Sequence, residues 1–377
     1  MSSCDELYNR LIQTIQPLVS VSNLKQLANW LWVVVGILQA KTVALSQIAT
    51  HLPHPTLAES RVTLIRRWLM NFHVDVWAFY QPILATVMQG WRTTKVYVVL
   101  DGVMVFGDRW QIFRLSLAHG CRAVPLVWAV LPGTGLAQAE RLETMLSRAA
   151  HFLQPRVKQV VFLADRGFRD CDWAALCQKL RWNYVIRVPH NTYVKLASGP
   201  LCRIDALRVE PGQRRYFTNV GLTQATKWYA NLTVTWTDGD AQHPPERLAV
   251  ISNQAAGAVR LRDYARRMSI EQSFRDDKSG GFDLAHTRLQ HAERLERLLL
   301  AVAIATLWCH ELGEHVLAQG TDVRREIDPG FERELSLFQL GLRWLKRCLS
   351  VATSRLPPFR ARLLPLRLAS VIKLAKL

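Results

Sequence analysis

Val96-Tyr97-Val98-Val99-Leu100-Asp101 is an unbroken apolar run closed by a carboxylate, with Gly102 next. A short β-branched run with no polar alternation predicts a strand buried on both faces. Two more strand patterns follow, Trp110 to Leu117 and Ala123 to Leu131, separated by His119-Gly120. Together the three predict a meander. A helical pattern covers Ala139 to Phe152, and Gln159-Val-Val-Phe-Leu-Ala-Asp165 then repeats the opening motif, an apolar strand ending on an acid. Asp170 to Leu180 is helical, opened by Asp170 and Asp172, and Trp182 to Val188 is a fifth strand.

The order β-β-β-α-β-α-β is that of an RNase H-like (retroviral-integrase-like) core, an α/β fold with a mixed sheet and helices on both faces. In that order the first and fourth strands lie side by side. Residues 93–189 supply the first part of the core. Residues 190–246 interrupt it. Tyr193 to Leu196, Tyr216 to Val220 and Trp228 to Trp236 alternate between Gly-Pro, Pro-Gly and Asp-Gly turns, predicting an inserted β-domain. Residues 247–315 return to the core with a strand from Arg247 to Ser252, a helix through Tyr264 to Lys278, and a long helix from Gln290 to Glu314.

Helical regions flank the core. Residues 1–92 carry apolar residues at helical spacing. Within them Ser46 to Leu52 is amphipathic, Pro53-His-Pro55 breaks it, and Thr56-Leu-Ala-Glu59 has the capping-box pattern. The helix so opened puts Val62, Ile65, Leu69 and Phe72 inside and Arg61, Arg66 and Arg67 outside. This fits a DNA-binding helix-turn-helix and equally a plain helical bundle with surface arginines. Residues 316–377 form a basic helical C-terminal region, in which Gly341 to Leu377 holds nine Lys/Arg and no Asp/Glu.

A chain of 377 residues can bury a sizeable core across several domains. A net charge of +18 is far from ordinary and favours a polyanionic partner, nucleic acid or an anionic membrane surface. The longest apolar runs, Trp30 to Leu38 and Leu298 to Trp308, fall short of the ~20 residues a bilayer span needs, so both are expected to be core helices. Met-Ser-Ser-Cys-Asp-Glu has no cationic region followed by an apolar stretch, so no signal peptide is expected. The seven cysteines are scattered, odd in number and without CxxC spacing, which predicts a reduced, cytoplasmic protein with no zinc knuckle.

Asp101 and Asp165 each close an apolar strand, where a carboxylate faces the crevice beyond the sheet edge. Neighbouring carboxylates repel unless a cation lies between them. Mg²⁺ suits that role, taking oxygen ligands and keeping waters for a phosphate. A third acid from a helix packed on the sheet would complete a site for two metals about 3.5–4 Å apart, fit for in-line phosphoryl transfer. Glu271 is the candidate. In Tyr264-Ala-Arg-Arg-Met-Ser-Ile-Glu271-Gln-Ser-Phe-Arg275-Asp-Asp-Lys278, a helix gathers Tyr264, Arg267, Glu271, Arg275 and Lys278 within roughly an 80° arc. Asp276 and Asp277 turn away from that stripe. A solvated face of i,i+4 ion pairs is the ordinary alternative, but the excess of cations and the two strand-end acids upstream argue for a site.

The spacing Tyr264-x₂-Arg267-x₃-Glu271-x₆-Lys278 resembles, at every position, the Tyr-Arg-Glu-Lys signature of DDE transposases of bacterial insertion-sequence family four. Ala-Asp165-Arg-Gly-Phe168 looks like that family's second-aspartate motif and Leu-Asp101-Gly like its first, so the likeness covers residues 93–310. The resemblance implies that Asp101, Asp165 and Glu271 bind two Mg²⁺ ions, with Mn²⁺ as a substitute. It implies that Tyr264, Arg267 and Lys278 hold phosphates near the cleaved transposon end, with Arg275 beside them. The activity implied is cut-and-paste transposition: hydrolysis at terminal inverted repeats, then attack of the 3′-hydroxyl on target DNA within a homodimeric synaptic complex, in a bacterial cytoplasm and close to the nucleoid. In relatives the β-insertion supports a hairpin intermediate with a flipped base stacked on an aromatic; Trp236 and Trp228 are the candidates here. Where the family often has Thr two residues after the first Asp, this chain has Val103. An RNase H-like nuclease or resolvase without strand transfer, or a non-catalytic DNA-binding derivative, would use much of the same chain.

Overall fold

The computed structural model describes residues 2–364 apart from 22, 92–94, 120–121, 134–138, 169–170, 224–227, 240–243, 285–286 and 352–354. The expected helix opener Asp170 and the basic tail beyond residue 364 lie outside the described residues. Five helices come first: α1 Ser3–Ile15, α2 Leu24–Ala40, α3 Leu45–Ala49, α4 Ala58–Met70 and α5 Val76–Val87. The strands and helices β1 Lys95–Val105, β2 Trp110–His119, β3 Arg122–Pro132, α6 Ala139–Leu153, β4 Gln159–Ala164, α7 Cys171–Lys179 and β5 Asn183–Val188 follow in the expected order. Next come β6 Tyr193–Lys195, β7 Leu201–Arg203, β8 Arg215–Leu222, β9 Trp228–Trp236 and β10 Arg247–Ser252. The helices α8 Ala258–Ala265, α9 Met268–Arg275, α10 Ala292–Ala318, α11 Thr321–Arg325 and α12 Leu337–Ser350 complete the described elements.

All the strands join one sheet in the order β3-β2-β1-β4-β5-β10-β9-β8-β6-β7. β1 lies between β2, to which it is antiparallel, and β4, to which it is parallel, so the first and fourth strands are neighbours. Their apolar runs are buried on both faces, as continuous hydrophobic strands must be. Tyr97, Val99, Val161, Leu163, Val185 and Val250 form one face, covered by Leu261 and Tyr264 of α8 and Ile270 and Phe274 of α9. Val98, Leu100, Phe162, Ala164 and Ile186 belong to the larger core on the opposite face. Segment 190–246 is hydrogen-bonded onto the same sheet. β9 pairs with β10 and β8 with β9, so these strands extend the core sheet instead of forming a second layer.

β1 departs from the sequence expectation. Asp101 does not end the strand; β1 runs on to Val105 in a hairpin with β2, where Asp101 is opposite Arg114. The pairing with β4 stops at Leu100 and Ala164. Asp101 is therefore the first residue of β1 beyond the last rung on the β4 side, and Asp165 follows the last residue of β4. Alternation puts both on the face that carries Val99 and Leu163. The crevice position arises from a neighbour that ends, while β1 itself continues.

The long helix α10 is buried almost all round because it is shared. α2, α4, α5 and α12 pack on one part of it and β3 on another. Such a helix is expected to be apolar on every side, and among the described residues no helix is long and apolar enough to cross a membrane. At the α10–α12 crossing, a Cβ added to Gly341 would overlap the carbonyl oxygen of Cys309, and one on Gly313 that of Leu337. The two backbones touch there. Gly341→Ala is expected to lower stability by about 1–3 kcal/mol, as overpacking of a rigid contact does; equilibrium urea unfolding measures it, and an unchanged midpoint would contradict so close a crossing.

The N-terminal region keeps the two expected helices, with differences in detail. α4 starts at Ala58 after Leu57, and no side-chain cap is made, so the Thr56 to Glu59 capping box is not formed. Arg61 takes over, donating to the carbonyl oxygens of His54 and Thr56 at 3.1 and 2.8 Å. It braces the turn and is not free on an outer face, whereas Arg66 and Arg67 are exposed. Ile65, Trp68 and Leu69 form the inner face, but Phe72, expected inside, is 77 % exposed just past the helix end.

Candidate active site

The site lies where β1 outlasts β4, under the junction of α8 and α9. The stretch 264–278 is not one helix. α8 ends at Ala265, and the chain tightens into i→i−3 hydrogen bonds: Arg267 to Tyr264, Ser269 to Arg266 and Ile270 to Arg267, at 2.8, 3.1 and 3.1 Å. α9 then begins at Met268. In such a tight turn residues three apart eclipse one another, so Tyr264 and Arg267 stay on one face and Glu271 follows one turn later. Tyr264 and Arg267 reach the strand-end acids, and Glu271 reaches Arg267.

Arg267 is the hub. Its Nη1 is 3.3 Å from Asp101 Oδ2, and its Nη2 donates to Glu271 Oε1. Tyr264 Oη donates to Asp165 Oδ1 at 3.3 Å, and the Arg267 guanidinium lies 5.8 Å from the Tyr264 ring. Asp101 Oδ1 accepts from the backbone N–H of Gly102 at 2.8 Å. Burial raises the Asp101 pKa most, Arg267 and the Gly102 amide lower it, and Glu271 and Asp165 push it up again; the net direction is upward. Burial disfavours the Arg267 cation, but the Tyr264 oxygen and the charges of Glu271, Asp165 and Asp101 overcome it and hold the guanidinium firmly protonated. Burial raises the Tyr264 phenol well above its ordinary range, so it is a neutral donor at any working pH.

Only oxygen donors come from the three acids, which is the chemistry of a hard divalent cation. Among the described residues, however, no three His, Cys, Asp or Glu close into a metal-binding group. Two of the three acids are joined through the guanidinium of Arg267.

Other residues of the expected stripe leave it. Arg275 is the exposed last residue of α9. Lys278 lies in a π-type turn, Asp276–Gly280, with non-helical φ −82°, ψ −111°, so it is off the stripe. The turn forms because its two acids are pulled to the sheet. Asp277 pairs with buried Arg114 at 2.5 Å, and Asp276 pairs with Arg122. These acids, which compete on paper with Glu271 for the third place, are engaged on β2 and β3.

Trp236 also falls elsewhere. Register carries the Asp165 face from Leu163 to Val185, then from Arg187 through Val250 to Thr233. Trp236, an odd number of residues from Thr233, faces the other side, where its Nε1 donates to Val209 O at 2.7 Å and its ring packs 5.3 Å from the Arg247 guanidinium. Trp228 shares that side. Neither indole is on the acids' face.

Sequence reasoning missed Arg187. It stands on β5 beside the Asp165 row, its Nη2 2.7 Å from Glu246, and although burial disfavours its charge, Glu246, Tyr264 and Asp165 raise its pKa. The available signal was an arginine interrupting the apolar run Tyr184-Val-Ile-Arg187-Val188.

Residues 127–308, a little under half of the chain, match the family model of the transposase DDE domain. The match takes in Asp165, Tyr264, Arg267, Glu271 and Lys278 and begins beyond Asp101. It supports a DDE-type transposase. No curated protein matches the chain. Among solved structures, the chain is similar to the piggyBac transposase synaptic complex with hairpin DNA seen by cryo-EM, at 10% identity and a TM-score of 0.45, over 92% of this chain and 76% of that one.

Proposed function

We propose that this chain is a DNA transposase of an insertion sequence, working by cut-and-paste on an RNase H-like core. It would cleave the terminal inverted repeats of its element and join the 3′-hydroxyl to target DNA. The observation that supports this best is the junction of Asp101, Asp165 and Glu271 around Arg267 and Tyr264, inside or next to the residues that match the transposase domain. Asp101, Asp165 and Glu271 are the residues that would hold Mg²⁺, or Mn²⁺ in its place. Bound there, the metal supplies Lewis-acid stabilisation of the oxygens in an in-line displacement. Around it the chain's own groups do the rest. Tyr264, fixed as a neutral donor, and Arg267, fixed as a cation, would orient a backbone phosphate, and Arg187 adds positive charge beside Asp165. Arg275 and Lys278 are exposed or half-buried farther along the same segment, where phosphates of a longer duplex would run.

A homodimeric synaptic complex and a bacterial cytoplasmic setting belong to the same proposal. The test is direct: with Mg²⁺ the purified chain is expected to nick DNA carrying the inverted repeats that flank its reading frame. Absence of nicking with both Mg²⁺ and Mn²⁺ would overturn the assignment. DNA binding is expected to fall steeply with salt, as counterion release from several phosphate contacts requires. A flat salt response in an anisotropy titration would remove the polyanion as partner of this +18 chain.

A further inference from the structure

Arg267 is placed unusually for a residue whose task is to hold DNA. Its guanidinium contacts Asp101 and Glu271 on two different nitrogens, and its side chain is buried beneath them. Those carboxylates belong to elements far apart in sequence, β1 and α9, so their approach depends on what lies between them. A cation that bridges two acids and a divalent ion that needs the same acids compete, since both neutralise the same charge and repel each other at contact distance. We infer that Arg267 is a built-in counter-cation of this site, which a divalent metal must displace from Asp101 and Glu271, and that a DNA phosphate is the anion that takes up the displaced guanidinium. This rests on the proposed reading of the three acids as metal ligands.

The geometry of the guanidinium fork supports it. Arg267 has one further nitrogen, Nε, buried and without a hydrogen-bond partner among the described residues, so its fork is not fully committed where it stands. Metal loading and DNA binding then become linked: each removes from Arg267 the partner that opposes the other. A nuclease whose site is closed by its own arginine is protected from firing on free metal alone.

The experiment measures Mn²⁺ binding by calorimetry on the full chain without DNA, at about pH 8, where the carboxyls are ionised. Arg267→Gln is expected to bind Mn²⁺ more tightly than wild type, about five-fold or more, the usual scale of a coupling between sites. Arg267→Lys, which keeps the charge but cannot bridge both acids, falls between the two. If neither variant binds Mn²⁺ more tightly, the inference is wrong. Glu271→Gln serves as the control for the underlying reading. If it binds Mn²⁺ as wild type does, Glu271 is no ligand and that reading fails; if it binds more weakly while the Arg267 variants show no gain, only the inference fails. Anisotropy of a labelled duplex adds the second half: Mg²⁺ at constant ionic strength is expected to tighten DNA binding by wild type and to do so less for Arg267→Gln. An equal response in both would refute the link to DNA.

Discussion

Replacing Glu271 by glutamine is expected to reduce metal-dependent nicking by roughly 10³-fold or more, the loss of several kcal/mol of transition-state charge stabilisation that a metal ligand supports. DNA binding is expected to stay within about two-fold, because the substitution removes an anion and leaves every cation of the surface in place. Glutamine keeps an oxygen that can accept from Arg267, so the α9 turn retains its contact. The effect separates chemistry from folding for that reason. Glu271 is half-buried and its carboxylate lies outside the apolar cores, so unfolding by urea should scarcely change. A variant that cleaves at the wild-type rate would show that the third ligand is another residue, and Asp276 and Asp277 would not inherit the role, since both are bound to arginines of β2 and β3.

The largest expected effect on stability comes from Asp277→Ala. Arg114 and Asp277 are 4% and 2% exposed and meet at 2.5 Å. Arg114 sits directly opposite Asp101 in the hairpin, and its guanidinium lies 4.4 Å from the Phe274 ring. Its Nε and Nη2 have no hydrogen-bond partner among the described residues, so the charge depends on Asp277 and that ring face. Removing the acid leaves a buried guanidinium without a counter-ion, which costs about 3–5 kcal/mol. Replacing the pair together, Arg114→Met with Asp277→Leu, is expected to recover most of that loss, because well-packed apolar residues substitute adequately for a buried pair. Urea unfolding of the two variants and the parent decides it. A loss under about 1 kcal/mol for the single variant would mean that water reaches Arg114. The pair also clamps the turn after the Glu271 helix to β2, the strand paired with that of Asp101, so the single variant should weaken activity along with stability.

Much of this arrangement could be read from local pattern. The apolar runs at 96–100 and 159–164 predict strands because a continuous β-branched stretch must be buried on both faces, and β1 and β4 are there. The alternation in 190–246 and the helical periods of the terminal regions depend on residues close in sequence, where periods of 2.0 and 3.6 govern. Asp101, Asp165, Tyr264, Arg267 and Glu271 stand out in the sequence for the same reason, each at the end of an apolar run or on a short helical face.

What local pattern could not supply are the partners across the fold. The stripe through Lys278 assumed that a helix continues as it begins. Yet two ion pairs more than 150 residues apart in sequence draw Asp276 and Asp277 onto the sheet and break the helix into a π-type turn. Asp101 looked terminal because the apolar run ends there, but β2 carries the strand on and it is β4 that stops. Trp236 has strand alternation either way; only the register through β10 and β5 shows that its face is not the acids'. Arg61 is an outward arginine by helical period and a turn brace by geometry. Composition and periodicity thus determine which elements form and which acids close their apolar runs. The tertiary structure decides which charges meet, because burying an ion requires a counter-ion, and that counter-ion comes from wherever the chain returns: Arg267 between Asp101 and Glu271, and Arg114 beneath Asp277.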